Sequence, residues 1–208
     1  MLKHFIIMLQ NNYNLNIIIR MCVYKYTKTW FTHSELRYHL VNFLDKSKEN
    51  NILEIGCYEG LTSVFLADNF INNKKSSLTC VDPFLHIDNN DHRQLLLNGE
   101  EFNFDYNISN CKNTDKITIY KITSDNFFEN NNKIYNFIYI DGCREPDFLK
   151  RDMENTFNFL AKDGIMWLND CYDGGNGDSK RVIDDFLEKY IGYYIVIHKG
   201  YQLAIRKL

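Results

Sequence analysis

Proline is almost missing from this chain, at 2 residues of 208, and no Pro-, Gly- or Ser-rich stretch interrupts it. A flexible linker between domains is therefore not expected, and the length suits one domain. No run approaches the ~20 consecutive apolar residues of a membrane span. The amino-terminal MLKHFIIMLQNNYNLNIIIRM breaks its two short apolar patches with Gln and Asn, too soon for a signal-peptide core. The six cysteines (22, 57, 80, 111, 143 and 171) include no C-x-x-C pair. Neither a disulfide framework nor closely spaced zinc ligands fits that scatter, so free thiols in a reducing, cytoplasmic setting are expected. Basic residues are not in excess either: 24 Lys and Arg face 27 Asp and Glu, for a net charge of −3. That argues against a nucleic-acid partner, whose affinity rests on neutralising phosphates. Residues 1–28 read as an amino-terminal extension and 29–208 as the domain.

What the chain has is apolar residues (45%) and aromatics (15%), enough for one core. From residue 30 they fall into alternating strand and helix patterns. SELRYHLVNFLDKSK carries Leu36, Leu40, Phe43 and Leu44 at helical spacing behind a Ser34 cap. NILEIG reads as a buried strand, followed by a helix marked by Leu61, Val64, Phe65 and Ala67. SSLTCVDPF, KITIYKI, YNFIYIDG and DGIMWLND give four more strands. The helices between them are predicted near 90–104, at SDNFFEN from its Ser, and from Glu145 to Ala161. DSKRVIDDFLEKY is a last helix, and YYIVIH and YQLAIRK flank a Lys-Gly turn as a hairpin. The alternation predicts an α/β, doubly wound, mostly parallel seven-stranded sheet with helices on both faces and an antiparallel carboxyl-terminal hairpin.

In such a sheet ligands bind beyond the carboxyl ends of the strands. The first strand ends there in ILEIGCYEGLTS, with Glu54, Gly56 and Gly60 on one turn. A phosphate ligand would favour the bare amides of G-x-G-x-x-G. Glu54 stands where the first glycine of that pattern would be, and an anion there repels pyrophosphate but suits an ammonium or sulfonium. Asp82 ends the second strand, where an acidic side chain can accept ribose hydroxyls. A helix-capping Glu and a turn Asp are the plain structural alternatives.

These segments resemble the class I S-adenosylmethionine-dependent methyltransferases. ILEIGCYEGLTS is similar to their first motif, LTCVDPF to their ribose-binding motif, and YNFIYIDG with LAKDGIMWLND to their fourth and fifth strands. The turn is close to the small-molecule O-methyltransferase branch, with its catechol- and macrolide-sugar-type enzymes. The resemblance implies a Rossmann-like methyltransferase fold over about 30–208 that uses S-adenosylmethionine. It implies that Glu54, Gly56, Gly60, Tyr58 and Thr62 surround the methionine end of that cofactor. By the same resemblance Asp82 binds the ribose, Ser124 and Asp125 lie by the adenine, and Asp141 sits beneath the methyl group.

Many relatives also hold a divalent metal, and the matching positions here are Asp141, Asn169 and Asp170, all oxygen ligands of the kind Mg²⁺ takes. Asp141 could instead simply position the cofactor. Relatives often place a His or Lys base three residues beyond the fourth-strand Asp; this chain has Arg144, which stays protonated and suits an anionic acceptor instead. Asp170 is then a candidate base in its place, unless a metal makes a strong base unnecessary, and His33, His39, His86, His92 and His198 are unplaced. The glycines 174, 175 and 177 mark a candidate lid. The expected acceptor is a small hydroxylated molecule such as a sugar or nucleotide sugar. The rival readings are a cofactor-binding homologue without turnover, a nucleic-acid methyltransferase and a dehydrogenase, the last lacking its glycine motif. A homo-oligomer is compatible with the sequence.

Overall fold

Strand polarity follows from the side-chain alternation. In β1 (Asn51–Ile55), Ile52 packs into a core with Leu78, Phe137 and Trp167, whereas Leu53 and Ile55 join Val81, Ile138 and Met166 on the opposite face. This computed structural model describes residues 23–87, 94–96, 99–169 and 177–208. Its main sheet has the order β5-β2-β1-β6-β7-β9-β8, where β2 is Ser77–Val81, β5 Ile117–Tyr120, β6 Tyr135–Ile140, β7 Leu160–Leu168, β8 Tyr194–Lys199 and β9 Leu203–Lys207. The β1–β2, β1–β6, β2–β5 and β6–β7 pairs are parallel, while β7–β9 and β8–β9 are antiparallel. The doubly wound sheet with its antiparallel carboxyl-terminal hairpin is thus as the alternation predicts.

Helices cover both faces. α1 (Glu35–His39), α2 (Leu61–Phe70) and α3 (Glu100–Ser109) give Leu36, Leu66, Phe70 and Phe104 to one core; α4 (Ser124–Asn130), α5 (Pro146–Phe159) and α6 (Asp178–Lys189) give Phe127, Met153, Phe157 and Phe186 to the other. None of the described helices is long and apolar enough to cross a membrane.

Local departures from the expected pattern have identifiable causes. The first helix is shorter than predicted, because the chain tightens into a 3₁₀ turn at Leu40–Asn42 after five α-helical residues. Ser34 does not cap it; its hydroxyl is engaged with Gln202. The helix expected near 90–104 begins only at Glu100, and a two-stranded antiparallel ribbon of β3 (Leu85–Ile87) and β4 (Gln94–Leu96) precedes it. The cap of α4 is Thr123, not Ser124: its side chain accepts the Asn126 N–H at 3.3 Å.

The described end of the amino-terminal segment is tied to the domain. The Lys25 N–H donates to Asn107 Oδ1 at 2.7 Å and the Thr27 N–H to Glu59 Oε2 at 2.6 Å. Asn107 Nδ2 returns bonds to the carbonyls of Lys25 and Glu59.

Candidate active site

Parallel pairing continues past the strand ends and draws three turns together. The Gly56 N–H donates to the Val81 carbonyl at 2.9 Å, Asp141 N–H to Ile55 at 2.8 Å, and Asn169 N–H to Ile140 at 3.0 Å. Gly56 is required by this convergence. A Cβ there would lie 2.3 Å from the Asp141 carbonyl oxygen and 2.7 Å from the Gly142 nitrogen, and its φ is +82°. Gly60, at φ +78°, starts α2 and lies against the Phe104 ring. Between them Tyr58 takes φ +50° without being a glycine, a strained state of the kind that collects at functional turns. Its hydroxyl lies 3.3 Å from Thr27 Oγ1 and its ring 5.4 Å from that of Trp30. Thr62 is buried in the first turn of α2.

The alternation in β1 sends Glu54 to the α2 side of the sheet, where it is wholly buried. Its Oε2 accepts the Ser63 hydroxyl at 2.5 Å, while Oε1 is buried without a hydrogen-bond partner. Burial raises its pKa to about 8; the Ser63 bond opposes that rise, and the charges of Asp141 and Asp82 add to it. Glu54 therefore lies beneath the turn rather than projecting from it.

Asp82 laces that turn. Its Oδ2 accepts the N–H groups of Cys57 (2.7 Å) and Tyr58 (2.9 Å), and Oδ1 accepts that of Phe84 (2.7 Å). Burial pushes its pKa up against the pull of those three bonds. An ionised carboxylate has about four acceptor positions, so room is left for one further donor.

Asp141 faces Asn169, whose Nδ2 donates to Oδ1 at 2.7 Å; the Tyr139 hydroxyl lies 3.3 Å from Oδ2. Burial raises the Asp141 pKa to about 6, opposed first by the Asn169 bond and then by the Arg144 charge. A small cleft lined by Asp141, Gly142, Cys143, Arg144, Asn169 and Ser179 opens beside it, so Arg144 does border the site. As placed, Asp141 and Asn169 do not turn two oxygens towards one ion. Asp170, Gly174 and Gly175 lie outside the described residues, as does His92. His198 packs on Trp167 and binds Glu35 at 2.9 Å, and the His39 ring lies beside it.

Ser124 and Asp125 open α4, where Asp125 pairs with Arg151 at 3.1 Å. Three further polar residues gave no signal in the sequence. Glu59, buried, holds Thr27 and Asn103 at 2.6 and 2.8 Å. Asp152 of α5 is buried against Gly142 with Oδ1 unpartnered, and burial lifts its pKa to about 6. Gln202, immediately before β9, sits behind Asn169 and is fully buried.

Residues 53–171 match a protein family described as a methyltransferase domain. No protein of curated function matches the chain. Among solved structures, a candidate rRNA methylase from Clostridium thermocellum superposes with a TM-score of 0.64 at 15% identity, covering 88% of this chain and 98% of its own. An O-methyltransferase from Bacillus cereus, solved with SAH, gives 0.61 at 12% identity, covering 93% and 88%. A candidate caffeoyl-CoA O-methyltransferase from Staphylococcus aureus gives 0.58 at 18% identity, covering 99% and 98%.

Proposed function

The chain belongs to the methyltransferase-domain family, and from that premise we propose that it moves a methyl group from S-adenosylmethionine to a hydroxyl of a small acceptor. One observation carries the reading. Glu54, Asp82 and Asp141 stand at the carboxyl ends of three adjacent strands, buried or half-buried, and each is held above its ordinary pKa by burial. Such a cluster favours a cation over an anion, and the donor carries an ammonium and a sulfonium. In this reading Glu54 acts through its field and the turn above it, with Gly56, Tyr58, Gly60 and Thr62 shaping the pocket for the methionine end. Asp82 uses its remaining acceptor position on the ribose, and Ser124 and Asp125 border the adenine. The catalytic unit is 29–208, with 1–28 as its extension, in a cytoplasmic protein; Cys57, Cys80, Cys111 and Cys143 are free thiols.

The donor, when bound, supplies the electrophilic methyl. In the transfer the S–C bond breaks, the O–C bond forms, and the acceptor hydroxyl loses a proton. The chain must line up acceptor and methyl and receive that proton. Asp141, with a pKa near 6, is a better base than an ordinary carboxylate, and Asp170 is the neighbouring alternative. Arg144 cannot take the proton at working pH but can hold an anionic acceptor, such as the diphosphate of a nucleotide sugar. Arg144→Lys is expected to raise the acceptor KM by about tenfold while kcat changes little, since the charge stays and the planar fork is lost. Equal falls in kcat and kcat/KM would remove the anchoring role.

The experiment is incubation with methyl-labelled S-adenosylmethionine and a panel of hydroxylated small molecules, nucleotide sugars and RNA. Label on a small-molecule oxygen supports the proposal, and label on RNA alone overturns the acceptor class. Arg144, standing where relatives carry a base, favours one second reading, a cofactor-binding homologue with little turnover. That protein would bind the donor and label nothing.

A further inference from the structure

The orientation of Asn169 can be worked out from groups that have only protons to give. Trp167 Nε1–H and the Leu36 N–H both point at one side-chain atom of Gln202, at 2.9 and 2.7 Å. Neither can accept, so that atom is the oxygen, Oε1, and the amide nitrogen lies on the other side. There Nε2 reaches Ser34 Oγ at 3.0 Å and Asn169 Oδ1. Because Nε2 only donates, the Asn169 atom facing it is the oxygen, and the Asn169 NH₂ is left to face Asp141 Oδ1 at 2.7 Å. Turning Asn169 over would set two NH₂ groups against each other at one end and two oxygens at the other. Gln202 is 0% exposed, so water is not at hand to relieve the clash of the two NH₂ groups. Gln202 itself is anchored, its N–H donating to Glu35 Oε2 at 2.7 Å, and Gly200 leaves the space in which that carboxylate sits.

We propose that Gln202 is a positioning residue that locks Asn169 as a donor to Asp141, so that the Asp141–Asn169 pair is not a divalent-cation site. A hard cation needs oxygens, and here an N–H proton occupies the side of Asp141 that a shared ion would need. Asp141 is left to face the cationic donor and the acceptor. The inference deepens the methyltransferase reading and rests on it only for the identity of that ligand.

The test is titration of the full chain with Mn²⁺, followed by electron paramagnetic resonance, without cofactor. Wild type is expected to show no Mn²⁺ binding that Asp141→Asn removes. Asn169→Asp should gain one site, because Gln202 still holds one carboxylate oxygen and the other stands against Asp141. Gln202→Glu should gain one too, since Asn169 must then turn its NH₂ to Glu and its oxygen to Asp141. Each gain should be at least about tenfold over wild type (~1.4 kcal/mol). One Mn²⁺ bound by wild type and lost in Asp141→Asn would overturn the proposal. So would Asn169→Asp binding no tighter than wild type, a result that stands even if Gln202→Glu fails to fold. SAH calorimetry on the wild type, run in parallel, reports separately on the cofactor reading.

Discussion

Gly56→Ala is expected to destabilise the protein by about 3 kcal/mol, from overpacking plus a left-handed backbone, and to lower the melting temperature by roughly 10 °C. The added Cβ would fall 2.3 Å from the Asp141 carbonyl oxygen and 2.5 Å from its carbon, and these are backbone atoms that cannot rotate away. Either β1 or β6 must retreat, and both carry site carboxylates. SAH affinity should therefore fall with stability, even at temperatures where the variant is fully folded. Gly99→Ala separates packing from backbone strain: Gly99 has φ +93° but nothing within 4 Å of an added methyl. That change should cost only the ~1–2 kcal/mol of the left-handed conformation and leave SAH binding intact. If thermal unfolding and calorimetry find Gly56→Ala no worse than Gly99→Ala, the convergence of the two strand ends does not hold the turn.

Glu54→Gln should move stability and binding in opposite directions. The folded-state pKa of Glu54 is about 8 against an ordinary 4.5. The folded protein therefore keeps a proton between those values that the unfolded chain releases. By linkage the contribution is fully present below 4.5 and is lost as pH rises towards 8. Gln has no proton to lose and should make the protein more stable than wild type by about 1–3 kcal/mol at pH 8.5. The same change removes the charge that a cation meets, so the affinity for S-adenosylmethionine should fall by about tenfold or more. In the wild type that affinity should rise with pH and level off above about 8, whereas Glu54→Gln should lose that part of the rise. Denaturant melts across pH, with calorimetry at each point, check both halves. A variant that lost stability at pH 8.5 would show that Glu54 is held ionised by partners other than those described.

The sheet could be read from the sequence because each strand is short, apolar and bounded by turn residues, and because YYIVIH and YQLAIRK lie too close for anything but a hairpin. The direction of Glu54 was not legible: the sequence sets it on the turn with Gly56 and Gly60, whereas its alternation with Leu53 and Ile55 buries it against Ser63 of α2. Three-residue strands such as β3 and β4 carry too little periodicity to be recognised: β3 read as polar loop, and β4 fell inside the helix expected near 90–104. Helix α1 was overestimated because Leu36, Leu40, Phe43 and Leu44 keep helical spacing across a 3₁₀ turn, which buries Leu40 and Leu44 almost as an α-helix would. The polar residues behind the site left no trace. Asp152 lies among Lys150, Arg151 and Glu154, as a solvated face would, and Gln202 follows a hairpin tip. Their importance comes from partners 35 or more residues away in Gln202's case, at Trp167 and Ser34.

In the function proposed, the cluster of Glu54, Asp82 and Asp141 serves a cationic methyl donor. The most direct test of that role is isothermal titration calorimetry of S-adenosylmethionine at pH 7, repeated in buffers of different ionisation enthalpy. One ligand per chain and net proton release on binding are expected, because a cation arriving beside Glu54 drives off the proton that burial retains. NAD should not bind. Binding of NAD in place of S-adenosylmethionine, or S-adenosylmethionine binding with net proton uptake, would contradict that role.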